Sequence, residues 1–185
     1  MIGRLLGAAA AALGLAALVD RILDLDPFVA GSPVDRPIRS AVEIAAPMGL
    51  VWRAVSDIPS QPRWMHEMKA VRLEGDGPVG VGTRGEADVR IFGIGVTDPV
   101  EIAVWEPPVR FGIRHAGRFT GEGLIQLRPG ADGSTTVVTW DERLVPPLFP
   151  QLGAVVQRPI LARIFQADLD RLKELVEAGE LPLRD

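Results

Sequence analysis

QLGAVVQRPILARIFQADLDRLKELVEAGE, residues 151–180, is the stretch that decides the fold. Its apolar residues recur every three or four positions and charged residues take the other face, which predicts an amphipathic helix of up to about 28 residues ending at Gly179. Pro159 lies inside this pattern and should kink the helix, because proline lacks the amide hydrogen that the helical ladder needs. The apolar face holds Leu152, Val155, Val156, Ile160, Ile164, Leu169, Leu172 and Val176, and the charged face holds Arg163, Asp168, Asp170, Arg171, Lys173, Glu174 and Glu177.

The segments before this helix are mostly strand-like. Residues 38–46 alternate apolar and polar side chains, the pattern of a half-buried strand. Residues 47–58 carry apolar residues at helical spacing, with Pro47 suited to a first helical turn, and residues 59–68 predict an irregular or single-turn helical link. Six further strand-like segments lie between residues 69 and 144. Gly, Pro and Asp turns separate them about every ten residues, which predicts an antiparallel meander.

A meander with one apolar face has to cover that face. The helix of residues 151–180 is the only element long enough to do so. A strongly curved sheet around a single helix leaves a gap where its curvature exceeds the width of the helix. The sequence therefore predicts an α+β domain in which a seven-stranded antiparallel sheet wraps around a long C-terminal helix and leaves an internal pocket.

Composition narrows the possible functions. The chain has 185 residues, a net charge of −4 and 47% hydrophobic residues, and it contains neither cysteine nor tyrosine. Disulfides, thiolate catalysis, cysteine-bound zinc and phenolic acid–base chemistry are therefore excluded. No run of lysine and arginine marks a nucleic-acid surface, so no nucleic-acid partner is expected. The glycine-rich residues 75–85 join two strands and lack the Lys-Ser/Thr of a phosphate loop, so they predict tight turns.

Residues 1–28 predict a separate apolar helix. The run from Leu5 to Val19 carries no charge, but it is shorter than the roughly 20 residues that a membrane-spanning helix needs. Three interpretations stay open: a short uncleaved anchor with its basic end in the cytoplasm, a helix packed on the domain or on a partner, and a cleaved signal. On the anchor interpretation, residues 1–19 would contact the membrane, and the protein would be membrane-associated and face the cytoplasm. The alternative is a soluble cytoplasmic protein.

The stretch WMHEM, residues 64–68, holds one of the two histidines of the chain. His66 and Glu67 are adjacent and point in different directions on a strand or a helix, so they are not expected to share a metal. The stretch also lacks the second histidine of the H-E-x-x-H pattern, and no metal site is predicted. Trp64, Met65 and Met68 are expected to form an adaptable apolar rim of the pocket. His66 would lie on its water-exposed side, with no chemical partner in this stretch.

His115, the other histidine, lies in a strand-like segment. It alternates with Phe111 and Ile113, so its side chain is expected on the apolar, inward face. A core hydrogen bond is the ordinary explanation for such a histidine. The functional explanation is that a neutral imidazole orients a polar group of a ligand. No Ser–His–Asp arrangement for nucleophilic catalysis can be assembled around it.

Glu142 is the candidate polar anchor of the pocket. It shares a strand face with Trp140, so it lies near the mouth of the pocket if Trp140 lines that pocket. A carboxylate buried there without a partner would be costly. Arg114 or Arg143 is the expected partner, and plain exposure to solvent is the alternative.

In the order and spacing of its elements, the chain from about residue 38 to 178 resembles START-like (SRPBCC) domains, in particular their polyketide cyclase/dehydrase-like branch. The matching stretches are VEIAAPMGLVWRAVSDIPSQPRW, GDGPVGVGTR, EPPVRFGIRHAG, DGSTTVVTW and DLDRLKELVE. The resemblance implies a helix-grip fold with a cavity for an apolar ligand. It implies no particular reaction, because the superfamily hosts both binders and enzymes. Residues 29–37 would be a linker, residues 38–179 the ligand-binding domain and residues 180–185 a tail.

Three functions fit these observations. The first is binding or transfer of an apolar small molecule or lipid, without a cofactor. The second is a cyclase or dehydratase acting on a polyketide-like or other apolar substrate, with His66, His115 or Glu142 as acid or base. The third is a partner-docking module without a ligand; enzymatic activity, ligand identity and oligomeric state are left open. The residues expected at the cavity or its rim are Trp64, Met65, His66, Met68, Phe111, Ile113, His115, Trp140, Glu142, Val156, Ile160 and Ile164.

Overall fold

A computed structural model describes residues 2–25, 32–91 and 93–181. These residues form three α-helices, α1 (Ile2–Leu25), α2 (Met48–Ser56) and α3 (Pro150–Glu177), and two short 3-10 helices, Pro33–Asp35 and Ile58–Arg63. They also form seven strands: β1 (Ile38–Ile44), β2 (Met68–Leu73), β3 (Arg84–Ile91), β4 (Ile94–Glu106), β5 (Arg110–Ala116), β6 (Thr120–Pro129) and β7 (Thr136–Val145). Residues 26–28 of the predicted N-terminal helix, residues 29–31 of the linker and most of the tail lie outside the described residues.

All the strands pair antiparallel in one sheet, in the order β1-β7-β6-β5-β4-β3-β2. The chain runs back and forth from β2 to β7, as the turn spacing predicts, and β1 adds to the sheet beside β7. α3 packs mainly against β1 and, to a lesser extent, against β7. The predicted α+β fold, a seven-stranded antiparallel sheet with a long C-terminal helix, is confirmed.

The hydrophobic core lies where α2 and α3 meet the sheet. Val51 and Val55 are fully buried and lie four positions apart, so they occupy one face of α2. Leu169 and Leu172 of α3 and Ile44 of β1 are also fully buried and belong to the same cluster. Each of these side chains stabilises the fold by about 1.5–3 kcal/mol relative to its exposed state.

α3 is one continuous helix through Pro159. The guanidinium of Arg158 donates hydrogen bonds to the backbone carbonyls of Arg36 and Pro37, at 2.5 and 2.9 Å, so the segment before β1 is tied to the helix. Gly179 has a φ of 67°, in the left-handed region that glycine adopts without strain. The helix therefore ends where the sequence predicts, and its ending depends on a glycine.

The buried face of α3 differs from the predicted one. Val155 and Val156 are 45% and 59% exposed, whereas Asp168, which the pattern places on the charged face, is 3% exposed. Ala154, Leu161, Asp168 and Leu175, spaced seven residues apart, are all buried. A helix is rigid, so the tightly packed C-terminal half sets its rotation and turns the two valines outward. The apolar pattern alone does not reveal this, because both faces of the N-terminal half carry apolar residues.

α1 packs along α3. Asp20 Oδ1 accepts a hydrogen bond from the backbone amide of Leu152 at 2.8 Å, and Asp24 Oδ1 accepts one from Gln151 Nε2 at 3.0 Å. Leu152 lies in the first turn of α3, whose amides have no partner within the helix. The acidic end of α1 therefore caps α3 and is held against the domain. No helix in the described part of the chain is long and apolar enough to cross a membrane.

Candidate functional site

A cavity of about 370 Å³ lies between the sheet and α3. Its volume falls in the range of small-molecule sites, about 300–1,000 Å³. Apolar side chains from β2 to β7 and from α3 form most of its wall. The residues of the sequence-based set that line it are Met65, Met68, Phe111, Ile113, His115, Trp140, Glu142, Ile160 and Ile164.

The other residues of that set lie away from the lining. Trp64 is fully buried behind the wall, and its ring meets the edge of Trp140 with 6.2 Å between the ring centroids. The His66 side chain is 59% exposed at the surface. Val156 is exposed on α3, and this corrects its predicted position: the rotation set by the C-terminal half of the helix turns it away from the cavity.

A charged cluster of Asp98, His115 and Glu142 lies in the wall of the cavity. His115 Nδ1 is 2.6 Å from Asp98 Oδ2, and His115 Nε2 is 3.1 Å from Glu142 Oε1. Glu142 Oε2 accepts a hydrogen bond from Trp140 Nε1 at 2.8 Å. Glu142 is 3% exposed. The cluster therefore places one imidazole between two carboxylates in otherwise apolar surroundings.

The two carboxylates hold His115 in its charged form. A neutral imidazole has one N–H, whereas an imidazolium presents an N–H to each of the two carboxylates. Burial lowers the pKa of His115, but the hydrogen bond with Asp98, the close contact with Glu142 and the charges of both carboxylates outweigh burial and raise the pKa to about 10. Both ring nitrogens face carboxylates. No set of three His, Asp or Glu side chains among the described residues is arranged to hold a metal ion.

Two glycines make room for this cluster. Glu142 lies on β7 and His115 on β5, with β6 between them. Gly123 of β6 pairs with Glu142, and a Cβ at position 123 would overlap Glu142 Oε2. A Cβ at Gly117 would likewise overlap Asp98 Oδ1. Because these two positions carry no side chain, carboxylates from β4 and β7 reach the same imidazole.

The partner of Glu142 is not one of the predicted arginines. Arg114 lies on the other face of the sheet, 3.4 Å from Glu101 Oε1. Arg143 donates from Nε to the backbone carbonyl of Asp35 at 3.1 Å. Each arginine directly follows or precedes a cluster residue on its strand, so strand alternation turns it to the opposite face. His115, in place of the predicted arginine, is the cationic partner of Glu142.

Asp98 is the member of the cluster that the sequence reasoning missed. The signal for it is the alternation in β4, where Val96, Asp98, Val100 and Ile102 all face the cavity. An aspartate among apolar residues on an inward strand face requires a partner, because an unpaired buried carboxylate is costly. That requirement, applied to the neighbouring strand, points to His115.

A second polar contact lies where the segment before β2 meets α3. Asp168 Oδ1 accepts a hydrogen bond from the His66 backbone amide at 3.0 Å and lies 3.0 Å from His66 Nδ1. His66 thus has a partner 102 residues away, which its local sequence does not show. Burial raises the pKa of Asp168, the bonds from His66 oppose this rise, and the charge of Glu67 adds to it. Glu67 and Asp168 both line the cavity.

The sheet, the long helix packed on it and the cavity between them define a START-like, helix-grip domain. Residues 37–177 match the family model described as polyketide cyclase/dehydrase and lipid transport. The chain belongs to this family, as its resemblance to START-like domains implies. No curated protein matches the chain.

Solved structures share this fold at low sequence identity. The Zhui aromatase/cyclase of a Streptomyces species is 18% identical, with a TM-score of 0.63 over 80% of this chain and 96% of that one. A protein from Thermus thermophilus is 22% identical, with a TM-score of 0.63 over 78% and 99% of the two chains. A START superfamily protein from Mycobacterium smegmatis is 19% identical, with a TM-score of 0.56 over 77% and 95%. These likenesses show the fold alone, since one fold hosts many functions.

Proposed function

We propose that the protein binds an apolar small molecule or lipid in the cavity between the sheet and α3. The observation that carries this proposal is a space of about 370 Å³ bordered mostly by apolar side chains. Removing apolar area from water favours binding by about 25 cal/mol per Å² before ordering costs. The few polar groups on the wall then orient the ligand.

The state of His115 favours binding over proton-transfer catalysis. With a pKa of about 10, His115 is protonated at neutral pH and has no lone pair with which to accept a proton. A general acid or base works best when its pKa lies near the operating pH. A cyclase or dehydratase reaction is therefore the second candidate. The family description, which includes both cyclase/dehydrase and lipid transport, supports it.

Filling the cavity tests the binding proposal. Ala87 lines the cavity from β3 and is 4% exposed. Ala87→Phe places a ring in the space, so the affinity for Nile red, a neutral apolar dye, is expected to fall at least about tenfold, or 1.4 kcal/mol. Fluorescence titration measures this affinity.

Arg90→Phe is the matched control, because Arg90 is exposed on the outer face of the same strand. This variant is expected to bind the dye like the unchanged protein. Equal affinity in Ala87→Phe would contradict the proposal. So would an unchanged protein that binds no dye and carries no extractable apolar molecule, and that result would favour the partner-docking function.

An apolar stripe on α1 supports membrane contact as a further part of this proposal. Leu15, Leu18 and Ile22 are 63%, 56% and 56% exposed, and their spacing of three and four residues places them on one side of the helix. Asp20 and Asp24 are engaged by α3 instead. A helix face of this kind binds in the interfacial layer of a bilayer without crossing it.

Charge placed on this stripe tests membrane contact. Leu15→Glu combined with Leu18→Glu is expected to abolish cosedimentation with phosphatidylcholine vesicles, because two carboxylates would enter the apolar layer. Ala10→Glu combined with Ala17→Glu adds the same charge at exposed positions on another side of α1 and should leave cosedimentation intact. Unchanged protein that stays in the supernatant would show that α1 does not bind membranes.

A further inference from the structure

The polar groups on the cavity wall are rich in acceptors. Within the part of the chain that the structure describes, the wall contains one imidazole and no lysine or arginine. The imidazole, His115, already faces two carboxylates. The wall therefore carries more carboxyl groups than cationic groups that could pair with them. The carboxylates that line it are Glu67, Asp98, Glu142 and Asp168.

Three buried carboxylate oxygens on this wall lack a hydrogen-bond donor. Glu142 Oε1 is 3.1 Å from His115 Nε2, close enough for charge attraction, but no donor makes a hydrogen bond to this oxygen. Glu67 Oε2 and Asp98 Oδ1 are likewise buried without a donor. A buried acceptor without a partner costs free energy, and a ligand that supplies an N–H or O–H removes that cost.

We infer that the ligand is an apolar molecule whose head group donates hydrogen bonds and carries no negative charge, a hydroxyl or a protonated amine. This inference rests on the proposed binding function and narrows it. A carboxylate or phosphate head group would lose its water beside carboxylates, with no lysine or arginine to pair with it, which is unfavourable. A hydroxyl or ammonium group donates instead to the free oxygens of Glu67, Asp98 or Glu142.

Three probes with the same alkyl chain test the inference: decanol, decylamine and decanoate. Each competes with Nile red at neutral pH. Decanol and decylamine are expected to displace the dye at concentrations at least about tenfold lower than decanoate, because like charges facing each other across an interface cost more than the free energy of a tenfold change. Comparison of decanol with decylamine shows whether the site takes a hydroxyl, an ammonium group or both.

Decanoate binding as tightly as decanol would overturn the inference. The inference also fails if Nile red binds but none of the three probes displaces it, and the proposed binding function then stands. If Nile red itself does not bind, the binding function fails with it. These results distinguish an incorrect head-group class from an incorrect function.

Variants that remove one negative charge test whether the cluster of Asp98, His115 and Glu142 causes the preference against decanoate. Glu142→Gln keeps an acceptor for the Trp140 indole while removing one negative charge, so the preference against decanoate is expected to shrink several-fold. Glu101→Gln is the matched control, because two arginines pair with Glu101 on the other face of the sheet; it should leave the preference unchanged. Asp98→Asn replaces Glu142→Gln if the latter does not fold. An unchanged preference in the folded cavity variant would overturn the inference.

Discussion

Replacing Trp64 with alanine is expected to lower the free energy of unfolding by about 3–5 kcal/mol. Trp64 is fully buried, and its ring packs edge-on against Trp140. The neighbours cannot close the space that alanine leaves, because Trp140 is itself held by the ring of Phe165 and by its hydrogen bond to Glu142. Urea denaturation measures the loss.

Trp64→Phe separates packing from polarity at this position. Trp64 Nε1 is buried without a hydrogen-bond partner, so phenylalanine removes an unsatisfied donor together with part of the ring. Its loss of stability is expected to be clearly smaller than that of the alanine variant. If Trp64→Ala costs less than about 1 kcal/mol, the centre of the range for ordinary substitutions, Trp64 does not belong to a tightly packed core.

The free energy of unfolding is expected to fall as the pH rises from 6.5 to about 10. His115 in the unfolded chain loses its proton near its ordinary pKa of 6.5, whereas the folded protein raises this pKa to about 10. Between these values the folded state holds a proton that the unfolded state has lost, so the slope reaches up to about 1.4 kcal/mol per pH unit. The stabilisation is fully present below pH 6.5 and is lost as the pH passes 10.

Denaturation at a series of pH values measures this slope, and two histidine variants assign it. His115→Gln is expected to be less stable than the unchanged protein at neutral pH and to lose most of the slope. The chain has no cysteine or tyrosine to titrate in the same window. His66→Gln is the matched control, since the His66 side chain is 59% exposed, and it should keep the slope. A slope that persists in His115→Gln would show that another group carries the proton.

The fold is predictable from sequence because its signals are local and repeated. Alternating side chains mark each strand, glycine and proline mark the turns, and the period of residues 151–180 marks α3. The rotation of α3 is less predictable, because it depends on which of two apolar faces packs more tightly. Asp168 is buried and Val156 is exposed as a result. Packing of the whole domain determines which face is buried.

The candidate site is only partly predictable, because its contacts join distant segments. Strand alternation turns His115 inward and places Glu142 beside Trp140, but it does not show that the two side chains meet. Their meeting requires Gly123, whose role becomes visible only when β5, β6 and β7 lie side by side. His66 and Asp168, which are in contact, lie 102 residues apart in the sequence, so no local pattern predicts that they meet.

Because α3 packs over β1 and β7, this side of the domain is tightly packed, whereas the other side of the sheet borders the cavity. Local opening costs least where few apolar contacts oppose it, and α3 packs least against the strands from β2 to β6, which border the cavity. If the cavity binds a ligand as proposed, the ligand would enter and leave by local opening of this side, while the packed side keeps the chain folded. Exchange of that ligand would then require no unfolding of the domain.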